Sequence, residues 1–252
     1  MNNRQSILIR KYVVIGAFAA FMVFIFSVML GTSLISSGNA EFAGLAGNIT
    51  TDSLFQYIIN GDVLCLFVAI ATVVFVHGES ANGNLKNVYG KVSRKYALVI
   101  SKTVSIIPMI LSFVGIAAIA SVIASLAYSP HCISFAGSGW SIIRFTLVQI
   151  LLLTAAASLA VCVSVITNST MVTLIAGFLF CEFGISVTNA VTAQLHKFSA
   201  FTFSDYTLLG NLYAITPASS GIECLRAAAV ALAIIAVTTF IGFRVLARSD
   251  VK

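Results

Sequence analysis

Six long apolar runs constrain what this chain can fold into more than any other feature of its sequence. A helix needs about 20 mostly apolar residues to cross the hydrocarbon core of a bilayer. The runs that approach or exceed this length are Val13–Ile35, Asp62–His77, Ala97–Ala127, Ser141–Ile166, Met171–Ala190 and Arg226–Leu246. They predict an all-α, polytopic membrane protein with six transmembrane helices, built as a single domain over residues 1–252.

The composition excludes a soluble globular domain. Hydrophobic residues make up 59% of the chain and charged residues only 9%, whereas a soluble domain carries about a quarter charged residues because its surface faces water. No polar segment is long enough to bury a hydrophobic core of its own. Most of the exterior is therefore expected to face lipid.

The lengths of three runs give further expectations. The first run is longer than the apolar part of a secretory signal peptide, about 7–15 residues, so we expect it to be retained as a span. The second run is the shortest of the six. The third is long enough to tilt or kink, and Pro108 within it supplies a physical reason for a kink.

The distribution of Lys and Arg predicts the orientation of the spans. Eleven of the 14 basic residues precede the first run, lie between or beside runs two and three, or close the chain. The opposite side holds only Arg144, Lys197 and Arg226, together with most of the acidic residues. Because basic residues are retained on the cytoplasmic side, both termini are predicted to be cytoplasmic. The net charge of +6 is then a topology signal, and no nucleic-acid partner is expected.

The connection between runs two and three has the pattern of a short amphipathic helix. Its apolar residues recur at the i, i+3, i+4 and i+7 spacing of one helical face, at Leu85, Val88, Tyr89 and Val92. Its polar side carries Lys86, Lys91, Arg94 and Lys95. The pattern alone leaves two interpretations open: a helix that lies on anionic lipid, or a docking helix for a cytoplasmic partner.

The residues around this helix resemble the motif of the ABC-2 permease family. A Glu leaves a span, a Gly and a Leu-Lys-Asn run follow, then Ser-Arg, and a Lys opens the next span. The matching residues are Glu79, Gly83, Leu85, Lys86, Asn87, Ser93, Arg94 and Lys102. The chain length is similar to that of the permease subunits of bacitracin- and lantibiotic-type peptide exporters. Asn84 and Val92 stand where the family often has Thr and Pro, which leaves the substrate open.

This resemblance implies partners and a role for the chain. The segment Glu79–Lys95 resembles the first coupling helix, which docks in a cleft of a separate ATPase subunit, and the tight turn Thr167–Thr170 resembles a second, smaller contact. The implied coupling residues are Glu79, Gly83, Leu85, Lys86, Val88, Tyr89, Val92 and Arg94. The implied assembly contains two ATPase copies and a second permease chain, identical or homologous, in the bacterial plasma membrane. ATP and Mg would be bound by the ATPase, with no cofactor on this chain, and the exported substrate would be amphipathic or hydrophobic, such as an antimicrobial peptide.

The chain itself lacks the motifs of an ATPase or of an intramembrane enzyme. Gly78 and Gly83 have the spacing of a phosphate-binding loop, but Asn84-Leu85 follows where a Lys and a hydroxyl residue would bind the phosphates and Mg²⁺. No HExxH sequence is present. We expect a transport subunit without a catalytic site. The alternative is an ATPase-independent secondary carrier or channel, a class that usually shows several ionisable residues within its spans or inverted repeats.

Glu182 is the one acidic residue deep within a run. A charge near the membrane centre costs at least about 2.5–3.5 kcal/mol on insertion scales, so such a residue is by default a candidate for function. The other interpretation is a protonated carboxyl that hydrogen-bonds across helices. A hairpin about Asn168-Ser169 would bring Glu182 level with Thr154 and Ser158, whose hydroxyls are its predicted partners.

The segment Val191–Cys224 is unusually apolar for a connection between spans. It is interrupted at Pro217 and contains Phe198, Phe201, Phe203, Leu208, Leu209, Leu212 and Tyr213. It predicts re-entrant or half-buried helices on the outer side before the last span, an arrangement that the ABC-2 family also has. Cys132 and Cys224 both fall in predicted outer connections, and their spacing leaves open whether they pair.

The charge distribution makes a topology prediction. A cysteine at position 91 (Lys91→Cys) should resist a membrane-impermeant thiol reagent on intact cells and react once the membrane is opened, because the positive-inside rule places this connection in the cytoplasm. Lys197→Cys is the matched control and should react in intact cells. Both are measured in a chain with Cys132 and Cys224 replaced by Ser. Labelling at position 91 in sealed cells would overturn the orientation.

Overall fold

The computed structural model describes residues 13–19, 21, 51–60, 62–81, 95–128, 139–195 and 202–248, and the regular secondary structure in these ranges is helical. We number the helices α1 (residues 13–19), α2 (Thr51–Asn60), α3 (Asp62–Ala81), α4 (Lys95–Tyr128), α5 (Gly139–Thr167), α6 (Thr170–Leu195), α7 (Leu208–Ala214) and α8 (Gly221–Arg248). A 3₁₀ turn at Phe203–Tyr206 precedes α7.

Four of these helices are long and apolar enough to cross a membrane. They are Ile100–Ile123 within α4, Gly139–Thr167, Thr170–Leu195, and Gly221–Leu246 within α8. They agree with the last four apolar runs of the sequence and confirm a multi-pass, all-helical membrane protein. Pro108 lies inside α4, as expected.

The start of α8 was predicted five residues too late. A capping box begins the helix at Gly221 instead of Arg226: the Ser220 backbone N–H donates to Glu223 Oε2 (2.8 Å), and the Glu223 N–H donates to Ser220 Oγ (3.3 Å). Such reciprocal bonds satisfy backbone donors that a helix start leaves unpaired. Glu223 and Arg226 interrupt the apolar residues at the start of α8, so the helix begins before the uninterrupted apolar run that marks it in the sequence.

The first two apolar runs are described less fully. Helix α3 has 20 residues, but its apolar part, Leu64–His77, is shorter than the four spans. Of the run Val13–Ile35, only residues 13–19 and 21 are described; here Phe18 packs against Phe67 of α3 and Phe113 of α4, with ring centroids 5.0 Å and 4.8 Å apart. The remainder of that run lies outside the described residues, as does Cys132, so its pairing with Cys224 is untested.

Helix α5 is the centre of the bundle. It contacts α3, α4, α6, α7 and α8, and 61% of its apolar stretch is buried, against 11% for α6 and 17% for α8. Small side chains explain this position, because Ala155, Ala157 and Ser158 are almost fully buried and let neighbouring helices approach closely. Its hydrophobicity is nearly even around the helix, as is typical of a helix surrounded by others.

Contacts along the helices fix which ends lie together. His77 in the last turns of α3 hydrogen-bonds Ser164 in the last turn of α5 (Nε2–Oγ, 2.8 Å), and Lys102 near the start of α4 lies beside His77. At the opposite end, Asn60 hydrogen-bonds the Ile215 carbonyl after α7 (2.9 Å). We call these the His77 end and the Asn60 end of the bundle. Helices α3 and α5 therefore run parallel.

The predicted hairpin between α5 and α6 is present at the His77 end. Asn168 adopts a left-handed backbone conformation (φ 49°), which Asn tolerates better than most residues. Its N–H donates to the Ser164 carbonyl (3.0 Å) and ends α5. Helix α6 starts two residues later and returns antiparallel to α5.

Helices α5 and α8 run parallel and touch along their length. Arg144 near the start of α5 donates to the Ser219 carbonyl just before α8. In the middle, Thr238 Oγ1 of α8 donates to Ser158 Oγ of α5 (2.9 Å). Towards the His77 end, Cys162 and Ile241 line the same apolar hollow. The C-terminal half of α8 thus approaches the His77 end.

A close crossing of α3 and α6 depends on small side chains. A Cβ atom on Gly177 would lie 3.2 Å from the Ala69 Cβ. One turn further along, the free thiols of Cys65 and Cys181 are buried and 3.2 Å apart. Larger residues at these positions would separate the two helices.

The central position of α5 makes a stability prediction. Ala157 is fully buried, so Ala157→Leu should overpack the bundle and lower the free energy of unfolding by about 1–3 kcal/mol. Ala229→Leu is the matched control, because Ala229 is on the exposed face of α8. The measurement is the thermal unfolding midpoint of the purified protein in detergent. Equal midpoints for the two variants would contradict the central placement of α5.

Candidate functional site

Two buried amides form a polar network at the Asn60 end. Gln149 of α5 has no exposed surface, and its Nε2 donates to Asn60 Oδ1 (2.9 Å) and to the Leu212 carbonyl (3.0 Å). Asn60 Nδ2 donates in turn to the carbonyls of Ile215 (2.9 Å) and Tyr213 (3.3 Å). The network joins α2, α5 and the C-terminus of α7.

The role of these amides follows from helix geometry. The last four carbonyls of a helix have no partner within the helix, and leaving such a group unsatisfied in an apolar interior costs about 1–3 kcal/mol. Gln149 and Asn60 donate to carbonyls at the end of α7, so α7 can end inside the bundle. Gln149 Oε1 is itself buried, without a partner among the described residues.

The N-terminus of α7 is closed by its own segment. Thr207 is the N-cap, and its Oγ1 accepts from the Gly210 N–H (3.1 Å). Asn211 Nδ2 donates to the carbonyls of Asp205 and Thr207, each at 2.8 Å. Gly210 has no room for a Cβ atom, because the Ser204 carbonyl lies against it. Both ends of α7 are therefore satisfied, and Leu208, Leu209 and Leu212 are buried in the hydrophobic core.

Two arginines attach the same segment to the spans. Arg226 of α8 pairs with Asp205 (Nη1–Oδ2, 2.9 Å) and lies 6.0 Å from the centre of the Tyr206 ring. Arg144 of α5 donates to the Ser219 carbonyl. The Arg226–Asp205 pair is about one-third exposed, so it contributes little to stability by itself. Together these contacts hold residues 202–220 over the Asn60 end as a cap.

Glu182 does not meet the hydroxyls predicted as its partners. Its side chain is exposed and makes no hydrogen bond to any residue that the structure describes. The neighbouring Cys181 is the residue that faces α3 and α5. Glu182 is turned by about 100° from the buried Cys181, because successive helical residues differ by that angle.

The two hydroxyls have other partners. Thr154 Oγ1 donates to the Ile150 carbonyl (2.7 Å), and Ser158 Oγ donates to the Ala155 carbonyl (2.7 Å) while accepting from Thr238. These bonds lie within α5 or between α5 and α8. Thr154 and Ser158 thus contribute to packing of the central helix, and Glu182 lies on a separate surface.

The predicted coupling residues lie at the edge of what the structure describes. Helix α3 includes Glu79, but the Glu79 side chain and residues 82–94 are outside the described part of the chain. Their role therefore stays a prediction. Helices α3 and α4, which flank this connection, carry the described residues His77 and Lys102, and His77 hydrogen-bonds Ser164. Within the described residues, no group of three or more His, Cys, Asp or Glu side chains is placed to hold a metal ion.

Sequence reasoning missed Gln149 and Asn60. The available signal was a single amide within an otherwise apolar run, since such side chains hydrogen-bond across helices in membrane proteins. The partners of the amides were not detectable, because they are mostly backbone carbonyls more than 60 residues away in sequence.

Comparison with known proteins gives no family assignment. The chain matches no protein-family model, no curated protein and no solved structure. Its function is therefore inferred from its own residues and their arrangement.

The amide network makes a testable prediction. Gln149→Leu should lower the free energy of unfolding by about 1–3 kcal/mol, because Asn60 Oδ1 and the Leu212 carbonyl lose their donor. Asn60→Leu should have a similar effect, and the double variant should lose less than the sum because the two side chains share a hydrogen bond. Gln56→Leu on the same helix as Asn60 is the control. Strict additivity, measured by thermal unfolding in detergent, would contradict a shared network.

Proposed function

We propose that this chain is the membrane-spanning permease subunit of an ABC-2-type exporter that uses ATP hydrolysed by a separate ATPase subunit. The observation that carries the proposal is the Glu79–Lys95 segment, which combines the ABC-2-like motif with an apolar stripe and basic residues. It joins α3 to α4, two helices whose neighbouring ends meet in the bundle. The remaining support comes from the arrangement of the helix ends.

Two features expected on the ATPase side are associated with the His77 end. The Glu79–Lys95 segment leaves α3 just after His77, and α4 continues from it towards Lys102. The α5–α6 turn at Asn168–Ser169 follows Ser164, the partner of His77. The described ends of α3 and α4 that flank the proposed docking segment thus share one end of the bundle with the proposed smaller contact, which supports docking of one ATPase subunit beneath the permease.

The charges at the two ends agree with this orientation. The described cations towards the His77 end, Lys102 and Arg244, are accompanied in sequence by the basic residues of the Glu79–Lys95 segment and of the C-terminus. The Asn60 end has Asp205 and Glu223 alongside Arg144 and Arg226. By the positive-inside rule, the His77 end is cytoplasmic. The cap of residues 202–220 is then on the outer side.

Six spans complete the proposed topology. Helix α3 has 20 residues, and at 1.5 Å per residue it measures about 30 Å, the thickness of the hydrocarbon core. With α3 and the run Val13–Ile35 added to the four long helices, both termini are cytoplasmic. The cap then corresponds to the half-buried outer helices expected before the last span.

The contacts suggest how a force at the docking segment reaches the pathway. Helix α3 packs on α5 and α6, and α4 packs on α5 and α8. Closure of two ATPase subunits would push the segment between α3 and α4 and tilt both against the central helix. Two permease chains would surround a transport pathway, and a cap would close the outer side of each chain. The tilting of the helices would expose this pathway alternately to the two sides of the membrane.

The proposed substrate is an amphipathic or hydrophobic molecule such as an antimicrobial peptide. The exposed faces of α4 and α8 are largely apolar in the middle of these helices, which suits a substrate that partitions into the membrane. An ATPase-independent carrier or channel remains the alternative function, since Glu182 is an ionisable group within a span. The two functions differ in whether the chain binds an ATPase.

Association with the ATPase is the test of the proposal. Tyr89→Ala should remove an apolar anchor and cost about 2 kcal/mol or more of association. Lys86→Glu should also reduce association with the ATPase sharply, because a reversed charge in a protein cleft loses its partner. If the helix instead lies on lipid, the same change should cost only about 1 kcal/mol of its binding to the membrane surface. The measurement is the ATPase activity that co-purifies with the affinity-tagged chain from its native membranes.

Matched controls separate docking from general damage. Tyr57→Ala removes a tyrosine that is 73% exposed near the Asn60 end, and Lys197→Glu reverses a charge in the proposed outer segment. Both should retain wild-type levels of ATPase. Full retention of ATPase by Tyr89→Ala and Lys86→Glu would reject the docking segment, and absence of ATPase activity from the wild-type preparation would favour the carrier.

A further inference from the structure

Helix α6 is long and apolar enough to span a membrane, and the described part of the chain covers little of it. Only 11% of its apolar stretch is buried, compared with 61% for α5. Its buried residues are Thr173, Cys181 and Thr188. Most of its other side chains are exposed.

The exposed face of α6 carries a polar stripe. Glu182, Ser186 and Asn189 follow the i, i+4, i+7 spacing of one helical face, and all three are exposed. None of them makes a side-chain hydrogen bond to a residue in the described ranges. We call these three residues the α6 stripe.

The α6 stripe lies deep in the span and not at its edge. Glu182 is the thirteenth of the 26 residues of α6, about 18 Å from the start of the helix at 1.5 Å per residue. Asn189 is about 9 Å from the end. A side chain at the depth of Glu182 cannot reach the aqueous interface as a side chain near the helix end can.

The other long helices show that this stripe is unusual. The middle of the exposed face of α8 is apolar, with Leu225, Leu232, Val237, Phe240 and Ile241. That of α4 is apolar too, with Val104, Leu111, Ile119 and Ile123. Of the four spans, only α6 presents a carboxyl and an amide at mid-span on its exposed face. The faces of α4 and α8 suit lipid, whereas that of α6 does not.

We propose that two copies of this chain associate through the α6 stripe, so that Glu182, Ser186 and Asn189 of one copy face those of the other. Hydrocarbon offers no hydrogen-bond partner, and a carboxylate there costs at least about 2.5–3.5 kcal/mol. A second stripe supplies the missing partners. The pairing takes the membrane orientation of α6 from the proposed function and does not depend on the ATPase.

The chemistry of the stripe favours a second copy over an unrelated partner. Two copies inserted in the same orientation are related by a two-fold axis along the membrane normal, so each residue on the seam meets its own counterpart. A protonated carboxyl, a hydroxyl and a carboxamide each both donate and accept, which makes all three self-complementary. The apolar residues Phe178, Phe183 and Val187 beside the stripe are exposed and would pack across the same seam.

Disulfide cross-linking tests whether the α6 stripes of two copies face each other. In a cysteine-free chain, Ser186→Cys is expressed as two differently tagged copies and oxidised with copper phenanthroline in native membranes. We expect a covalent dimer that carries both tags. Leu232→Cys is the control, because it lies at similar depth on the apolar face of α8 and is 57% exposed. A folded Ser186→Cys chain without such a dimer, or equal cross-linking at both positions, would overturn the proposal.

Substitution of Glu182 tests whether hydrogen bonding holds the pair. Glu182→Gln keeps a self-complementary side chain, so its dimer dissociation constant in lipid vesicles should stay within about threefold of wild type. Glu182→Leu fits lipid but cannot hydrogen-bond, so dissociation should rise about tenfold or more. Dilution-dependent energy transfer between labelled copies measures both values. Equal association of the Glu182→Leu and wild-type chains would overturn the proposal. Neither the cross-linking nor the energy-transfer measurement involves the ATPase, so both results would stand if the docking segment did not bind an ATPase.

Discussion

The structure depends on one constraint: a polar group inside a membrane bundle has no water to bond and must find a partner within the protein. Most hydroxyls in the spans meet it locally by donating to a carbonyl one turn earlier, as Thr72, Ser121 and Thr154 do. Gln149 and Asn60 meet it over long range, by donating to carbonyls at the end of α7. That second solution creates tertiary structure, because it allows a helix to end inside the bundle.

The cap over the Asn60 end follows from this solution. A short helix of seven residues would not be stable alone in water, and in lipid its end carbonyls would be unpaired. Here the amides of α2 and α5 satisfy the C-terminus, Thr207 satisfies the N-terminus, and Arg144 and Arg226 fix the flanking residues. The cap is thus attached to α2, α5 and α8 together, so it must respond when these helices move relative to one another.

Length and hydropathy predicted the four long spans because lipid imposes both directly. They could not predict which side of each helix faces inward, since hydrophobicity is nearly even around α5 and α6 and therefore contains no directional signal. For this reason the sequence predicted hydroxyl partners on α5 for Glu182, which in the structure is exposed on α6. The network of Gln149 escaped prediction for a related reason: its acceptors are backbone carbonyls, which every residue has and no sequence pattern marks.

The need for a hydrogen-bond partner applies to polar side chains inside the bundle and to those on its outer surface. Thr154 and Ser158 of α5 are buried and hydrogen-bonded within the bundle, whereas the α6 stripe points outward, with Glu182 one residue in sequence from the fully buried Cys181. A rotation of α6 by a single residue would bury Glu182 against α3, where Gly177 and Cys181 now allow the close crossing, and the larger carboxyl side chain would separate the two helices. The tight α3–α6 contact and an inward-facing Glu182 are therefore mutually exclusive, and packing among the helices that the structure describes leaves the polar stripe exposed, where the proposed second copy would satisfy it.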